Sequence, residues 1–406
     1  RQMPEKGFPE LKRHYAMLGA EEYVMLAPLL QFPHNYNAPS RAVMYGWMNR
    51  HLGLGVAEPI EERDYRPLGK EELTVWDADH PAPPGGPEHE RAVLRWWTED
   101  AARQIDAMRP KDAVSLAEYR RVVGGAWDVM IGRGMPVPDA VKFEPVGHDP
   151  ESREGVRIAR GILKHAAHGE AVPTILLLPS RSSDRNKQAV VWIDSRGKAG
   201  LFDADGRPRQ AVARLLAGGA MVVGVDLIGQ GELTEDGKPL VRQRHVGQDK
   251  EGPPPYAGYH YGYNHPLFAQ RVHDILSVVA LLEQEAYHVG RIDLVGLGGA
   301  GHWVAAARLQ AGPAIGRVAI DTAGFRFANV DDLYHVDFLP GAAKYGDLPA
   351  VLALGAPGEL WLAGEGAEAI APLRAAYRAA GAEARMAVFP GERGDVESAA
   401  VEWLLR

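Results

Sequence analysis

One segment of the sequence has the spacing of a catalytic turn but lacks the catalytic side chain. From Arg291 to His302 the residues read as an apolar strand, a tight turn of small residues and the start of a helix. In the motif G-x-S-x-G such a turn holds a nucleophilic serine above a sheet, and Gly296 and Ala300 stand here at the two flanking positions. Because Gly298 occupies the serine position, we predict a degenerate nucleophile elbow without a hydroxyl group.

A second segment whose residues could take part in catalysis lies near the start of the chain. The loop Phe32-Pro-His-Asn-Tyr-Asn37 places His34 beside a proline and the amide and phenol groups of Asn35 and Tyr36. An imidazole on a polar loop can be held in one tautomer while it stays open to a cleft, which a general base requires. A surface histidine with local hydrogen bonds alone is the competing interpretation.

Length and composition restrict the classes of protein to which this chain can belong. With 406 residues, 46% hydrophobic and 24% charged, the chain can bury a large core and form more than one folding unit. The net charge of -8 offers no basic face to nucleic acid. No apolar run approaches the roughly 20 residues of a membrane helix. The absence of cysteine excludes disulfides, thiolate zinc sites and cysteine nucleophiles, and it leaves the compartment open.

The order of elements predicts one large α/β body. From about residue 115 onward, apolar strands alternate with amphipathic helices, and consecutive β-α units form mostly parallel sheets covered on both faces. We predict this body over residues 115–406. The proline- and charge-rich residues 59–114 predict a linker that contains a helix.

Residues 1–58 are typical of the end of a domain. They contain one predicted helix over Phe8–Leu18 and a second that Ser40 caps and that runs to His51. The chain begins at Arg1 without a start methionine or a signal-peptide pattern, so we expect a processed or truncated piece of a longer protein.

Four blocks of sequence resemble the α/β-hydrolase superfamily, and more closely its tandem bacterial members of the acetyl xylan esterase and dienelactone-hydrolase-like type. The resemblance implies an α/β fold: an α/β-hydrolase-like, doubly wound, mostly parallel sheet, preceded by the C-terminal remnant of another α/β-hydrolase domain. The blocks stand at the positions of the oxyanion loop, the D-x-x-G-x-G loop, the nucleophile elbow and the histidine loop: Trp192–Lys198, Val223–Glu232, Gly296–Gly301 and Phe389–Asp395.

The second unit departs from this family pattern at each catalytic position. Gly298 replaces the serine, the acid loop Gly364–Glu368 contains no aspartate, and Glu392 or Arg393 fills the histidine position. Loss of the nucleophile and the base removes both halves of the activation by which a hydroxyl attacks an ester. We therefore predict that this unit is a catalytically degenerate support.

The resemblance assigns the opposite role to the first unit, because the tandem proteins end that unit with a similar loop whose histidine is the general base. It implies that His34 belongs to a serine carboxylic-ester hydrolase acting on an acylated carbohydrate or a small ester, without a metal or organic cofactor. In this fold the catalytic residues follow one another along the chain in the order serine, acid, histidine. No serine of this chain lies in a G-x-S-x-G motif. We expect the serine and the acid in an upstream hydrolase segment, on the same precursor or a separate chain. The resemblance also implies a secreted or periplasmic location, and a homo-oligomer is left open.

Two alternative functions are left open by the sequence. One is a non-enzymatic pseudo-hydrolase scaffold or binding domain. The other is a dinucleotide-binding protein, because Gly296-x-Gly298-x-x-Gly301 fits the nucleotide fingerprint and Asp321 ends the next strand. Against the latter, at least three strands precede the motif and His302 would crowd the helix start that receives a pyrophosphate.

Two further clusters have weaker signals. His260, His265 and His273 are candidates for a metal site, but their spacing places no pair on one helix face, so we expect no metal. The tyrosine-rich segment Tyr256–Tyr263 could stack on sugar rings or form a domain interface.

Overall fold

The computed structural model describes residues 2–147, 151–153, 155–181, 183, 185–245, 257–391 and 393–406. The chain separates into two compact units, Arg1–Pro84 and Gly85–Arg406. This division falls inside the segment expected to be a linker, and the functional assignment of residues 1–58, 59–114 and 115–406 stays a prediction. Within the described ranges, no helix is both long enough and apolar enough to span a membrane.

The first unit consists of short helices joined by extended loops. Its α-helices are α1 (Phe8–Met17), α2 (Ala38–His51) and α3 (Lys70–Leu73). Asn49 is the one residue described in this unit that is buried, and its side-chain amide donates to the Val56 carbonyl oxygen at 2.8 Å. The apolar side chains of the unit therefore do not form a core of their own.

The second unit begins with helices and continues into a ten-stranded sheet. Helix α4 is Pro87–Ala107, and a π-helical turn over Arg120–Gly124 joins α5 (Ala113–Tyr119) to α6 (Gly125–Ile131). The strands are β1 (Val141–Pro145), β2 (Glu151–Arg153), β3 (Val156–His165), β4 (Glu170–Pro179), β5 (Gln188–Ile193), β6 (Met221–Val225), β7 (Arg291–Gly296), β8 (Arg317–Asp321), β9 (Glu359–Ala363) and β10 (Met386–Val388). The remaining helices are α7 (Gln210–Ala217), α8 (Ala257–Tyr261), α9 (Leu267–Leu282), α10 (Gly301–Ala311), α11 (Asp347–Leu354), α12 (Ala367–Ala379) and α13 (Val396–Leu405).

The strand order of the sheet is β1-β3-β4-β6-β5-β7-β8-β9-β10, with β2 paired to β3. The pairs from β6 through β5 and β7 to β10 are parallel, whereas β1, β3 and β4 form antiparallel pairs at the other edge. The carboxyl ends of the parallel strands therefore meet at one edge of the sheet, where ligand sites of open α/β sheets form. The prediction of a mostly parallel α/β sheet is confirmed.

Helices cover both faces of this sheet. Strand β5 is buried at every residue, as expected for a continuous apolar run between two helical layers. One core cluster joins the sheet to α9, α10, α11 and α12, and a second joins it to α7 and α13. The sheet is therefore doubly wound, as predicted.

Helix α11 is the main element that the sequence pattern did not predict. It is eight residues long, Leu348 and Val351 are buried in it, and Pro349 lies in its first turn, where a missing N–H costs no helical hydrogen bond. From sequence alone, a short apolar run that contains a proline is equally compatible with a loop or a strand. Packing against α10 and α12 decides the helical form.

A buried histidine couples α9 to the end of α6. The His273 side chain is almost fully buried, and its Nε2 lies 2.7 Å from the Ile131 carbonyl oxygen, to which the neutral imidazole can donate. Burial lowers the pKa of His273 to about 4, and the nearby Arg133 guanidinium acts in the same direction. Neutral His273 is therefore part of the folded core.

We predict that His273 makes stability depend on pH. The pKa of a histidine in the unfolded chain is about 6.5, so as the pH falls from 6.5 toward 4 the unfolded state binds the proton first and stability is lost. Replacement by glutamine retains a donor for Ile131 but cannot titrate. Between pH 7 and pH 4.5, the wild type should lose about 2 to 3 kcal/mol of unfolding free energy relative to His273→Gln in urea denaturation. The exposed His89→Gln provides the matched control, and parallel curves for wild type and His273→Gln would contradict the prediction.

Candidate functional site

The predicted elbow is a strand, a tight turn and a helix at the carboxyl edge of the sheet. Strand β7 ends at Gly296, the turn has positive φ at Gly298 (58°) and Gly299 (88°), and α10 begins at Gly301. A Cβ atom on Gly296 would lie 2.7 Å from the Val304 Cβ, so the small residue is required for α10 to pack on β7. The left-handed backbone at Gly298 is the strained geometry of a nucleophile elbow.

A carboxylate lies where the nucleophile would extend. A Cβ atom built on Gly298 would be 2.9 Å from the Asp194 Oδ2. Asp194 follows β5, is buried, and accepts hydrogen bonds from the Arg196 Nε (3.1 Å) and, at greater length, from the Arg209 Nη2 (3.5 Å). The hydrogen bond to Asp194 raises the pKa of Arg196. Arg209 also binds the Glu397 Oε2 at 3.1 Å, so ion pairs extend from the β5 loop to the start of α13.

The neighbouring loop after β6 holds the β5 loop in place. The Gln230 Nε2 donates to the carbonyl oxygens of Asp194 (3.2 Å) and Ser195 (2.8 Å). The buried Asp226 accepts the Lys198 backbone N–H at 2.9 Å and forms an ion pair with the Lys198 ammonium group. The D-x-x-G-x-G-like block is thus a clamp for the loop at the oxyanion position.

The acid position, which has no aspartate, contains the carboxylate of a glutamate. Glu365 follows β9, and its side chain is only 2% exposed. The Arg326 guanidinium donates to both of its oxygens, at 2.9 Å and 2.5 Å, and this hydrogen bonding raises the pKa of Arg326. Glu365 is therefore neutralised by an arginine instead of orienting a histidine. The glutamate in the loop after β9 could have indicated from the sequence that a carboxylate stands at this position.

The histidine position does not supply a base among the described residues. Glu392 lies outside the described residues, and Arg393 begins a short helical turn before α13. The buried histidine close to the turn in sequence is His302, whose Nε2 lies 3.2 Å from the Asp337 Oδ1 and whose ring stacks on Phe325 with centroids 4.1 Å apart. Burial alone would raise the pKa of Asp337, but the interactions with His302, Arg271 and Trp303 together outweigh it and the pKa falls to about 2.

The packing of the elbow opposes both acyl transfer and nucleotide binding there. Acyl transfer needs donors aimed at a developing oxyanion, and nucleotide binding needs an open helix start for a pyrophosphate. The Asp194 carboxylate, whose charge two arginines balance, lies in the space beside Gly298 that a nucleophile side chain would occupy. Gly301 packs against the Asp321 carbonyl oxygen, and the Asp321 carboxylate accepts the Ala323 N–H at 2.9 Å as a turn residue. The glycine pattern is explained by packing of the turn.

The other predicted clusters have structural contacts. The rings of His265 and His273 form an edge-to-face pair at 5.1 Å, and His260 stacks on His245 at 4.4 Å. Over the ranges that the structure describes, no three histidine or acidic side chains are arranged to hold a metal ion. Tyr256 lies outside the described residues, and the Tyr261 hydroxyl donates to the Leu333 carbonyl oxygen at 2.6 Å.

The His34 loop is ordered by its neighbours and leaves the imidazole exposed. Asn37, not Ser40 as predicted, is the N-cap of α2, and its Oδ1 accepts the Ser40 N–H at 3.1 Å. The Arg41 Nη1 donates to the Tyr36 carbonyl oxygen at 2.7 Å. Among the described residues, no side chain makes a hydrogen bond to His34. The assignment of His34 as a general base stays a prediction.

Comparison with known proteins agrees with the sheet order. No family model and no curated protein sequence matches the chain. A solved structure assigned provisionally as an acetyl xylan esterase, from Bacteroides fragilis, is 14% identical with a TM-score of 0.50, over 71% of this chain and 79% of its own. The chain has an α/β-hydrolase fold.

Two further solved structures are similar at lower scores. A glucuronoyl esterase from Teredinibacter turnerae is 14% identical with a TM-score of 0.45, over 71% of this chain and 84% of its own. A methylesterase is 14% identical with a TM-score of 0.46, over 75% of this chain and 67% of its own. A sequence identity of 14% indicates a shared fold and nothing about activity or substrate.

We predict that restoring serine at Gly298 does not restore catalysis. The new Cβ would crowd the Asp194 carboxylate, which should lower the unfolding free energy by about 1 to 3 kcal/mol. The loop at the family's histidine position, Phe389–Asp395, contains no histidine that could activate the hydroxyl. Gly298→Ser should show no labelling by a fluorophosphonate probe and no hydrolysis of nitrophenyl acetate above the wild type.

A double variant shows whether the serine stays unlabelled because Asp194 crowds it or because no base activates it. In Gly298→Ser/Asp194→Ala the serine has room, and we expect it to remain unlabelled because the base is still absent. Asp194→Ala alone serves as the matched background. Serine labelling in the double variant would show that the elbow retains a working base and would overturn the degenerate assignment.

Proposed function

We propose that the chain is the C-terminal part of a carboxylic-ester hydrolase in which His34 acts as general base and the α/β-hydrolase-fold unit is a non-catalytic support. The observation that carries the proposal is the Asp194 carboxylate beside Gly298 at the elbow. It leaves the fold without a place for its usual nucleophile. An exposed histidine on a loop that is held at the start of α2 is then the remaining candidate from the family pattern.

The lack of a core in the first unit supports a partner for His34. Residues 2–84 bury no hydrophobic side chain, and large apolar groups such as Met17 (84% exposed) and Tyr65 (83% exposed) face solvent. Apolar surface on this scale is stabilised when another surface covers it. We propose that an upstream hydrolase segment covers it and supplies the serine and the acid.

The proposed reaction is acyl transfer through a serine ester. The partner's serine oxygen attacks the ester carbonyl carbon while the His34 imidazole accepts the hydroxyl proton, and backbone N–H groups of the partner stabilise the oxyanion. His34 then donates the proton to the departing alkoxide. Water, deprotonated by the same imidazole, releases the acid and regenerates the serine.

The substrate class follows from resemblance. The family pattern and the name of the similar Bacteroides fragilis structure both favour an ester of a carbohydrate hydroxyl, such as an acetylated sugar, or a related small ester. The tyrosines of the segment that ends at Tyr263, which is 87% exposed, have the amphipathic rings that stack on sugars.

A second candidate function is a pseudo-hydrolase scaffold or binding domain. The charge network at the elbow favours it, because the groups at Asp194, Arg209 and Glu397 are engaged with one another. In this case His34 is a surface residue and no partner serine depends on it.

Labelling of the native preparation by a fluorophosphonate probe distinguishes the two functions. We expect mass spectrometry to identify a labelled serine on a polypeptide segment other than residues 1–406. His34→Ala should lower labelling and ester hydrolysis roughly a thousandfold, as for loss of a catalytic base. His14→Ala, which changes an exposed histidine of the same unit, should leave both unchanged.

The opposite outcomes are equally informative. A labelled serine whose reactivity is unaffected by His34→Ala would remove His34 from the mechanism. A preparation without any labelled serine would support the scaffold function.

A further inference from the structure

A large cavity lies within the second unit, away from the elbow residues. It has a volume of about 1350 Å³ and lies between α4, the segment that follows β8, and the starts of α11 and α12. Drug-sized ligands occupy clefts of roughly 300 to 1,000 Å³, so this space can hold a small molecule. None of the residues that line it belongs to the elbow turn or to the His34 loop.

The walls of the cavity are mainly apolar. Buried side chains of Phe327, Leu339 and Ala353 line it on the side of the fold core. On the α4 side, Leu94 and Trp97 line it and are 51% and 61% exposed, whereas Ile105 packs on the core. Helix α4 is thus anchored at its end, and the cavity opens toward its first half.

The charges around the cavity do not favour a charged ligand. Most of the charged groups have partners: Asp106 with Arg109, Arg326 with Glu365, and the Asp347 carboxylate with the backbone N–H groups of Phe327 and Ala328. Lys344 and Glu368, which are both exposed, have opposite charges. An uncharged molecule therefore fits this site best.

One polar group that faces the cavity has no hydrogen-bond partner within the described residues. The Tyr119 side chain lines the cavity and is 5% exposed. Its hydroxyl forms no hydrogen bond with any residue that the structure describes. Burial raises the pKa of Tyr119 to about 12, so the phenol stays protonated and can donate. The Tyr119 oxygen is not among the fully buried atoms, so water can reach it, and a ligand acceptor would take the place of that water.

We propose that this cavity binds a small uncharged aromatic molecule that carries a carbonyl acceptor. Its ring lies between Trp97 and the apolar wall formed by Phe327 and Leu339, and its carbonyl oxygen accepts the Tyr119 hydroxyl. The site is independent of the proposed ester hydrolysis, because it uses neither His34 nor the elbow.

Prodan, an uncharged fluorescent naphthyl ketone, has this chemistry and tests the site in the full chain. We expect saturable binding to one site with blue-shifted emission relative to water. Trp97→Ala should weaken binding more than tenfold, because it removes the exposed aromatic wall. Tyr119→Phe should weaken binding by roughly three- to tenfold. It should also shift the bound emission further to the blue, since a hydrogen bond to the ketone lowers the emission energy.

Two matched variants localise the binding. Trp96→Ala removes the adjacent tryptophan, which is 56% exposed and does not line the cavity, and should leave binding unchanged. Ala101→Phe adds a ring to the α4 wall and should block the site. Because α4 buries none of its residues, these variants should retain the wild-type melting temperature. The proposal is overturned if wild type does not bind prodan, or if Trp97→Ala and Ala101→Phe both bind it as wild type does.

Discussion

The close approach of α10 to strands β7 and β8 sets the shape of the carboxyl edge of the sheet. Gly296 gives room to Val304, and Gly301 packs against the Asp321 carbonyl oxygen. Any larger residue would separate the helix from the two strands, and the apolar residues between them would lose their contacts. The elbow is therefore maintained by packing, whether or not a nucleophile stands on it. The same constraint produces a glycine spacing that resembles a nucleotide fingerprint.

Charge pairing at this edge is the feature on which the proposed support role depends. Catalytic groups are aimed at the substrate and are hydrogen-bonded to partners that can exchange a proton with them. Here the Asp194 carboxylate is held by two arginines, and Glu365 is held by a third. Gln230 and Asp226 fix the backbone of the intervening loop. The network fixes side chains at positions where the family pattern places a triad, which supports the proposal of a non-catalytic unit.

Two surfaces elsewhere in the molecule are open to binding. The first unit exposes apolar side chains and the His34 imidazole. In the second unit, the Tyr119 hydroxyl faces an apolar cavity and has no hydrogen-bond partner within the described residues. Covering the exposed apolar surface of the first unit would be favourable, and the Tyr119 hydroxyl is a donor that a ligand acceptor could bind in place of water. Binding events that cover them are the physical basis of the two proposals.

Local periodicity and residue identity determined much of this protein from its sequence. Apolar strands alternating with helices specified the mostly parallel sheet, and Gly298 and the His34 loop could be recognised because each lies within one short segment. Only the tertiary structure decided that Asp194 lies beside Gly298, that Glu365 pairs with an arginine, and that α11 is helical. These features join residues far apart in the chain, and their positions depend on how strands and helices pack, which no local pattern records.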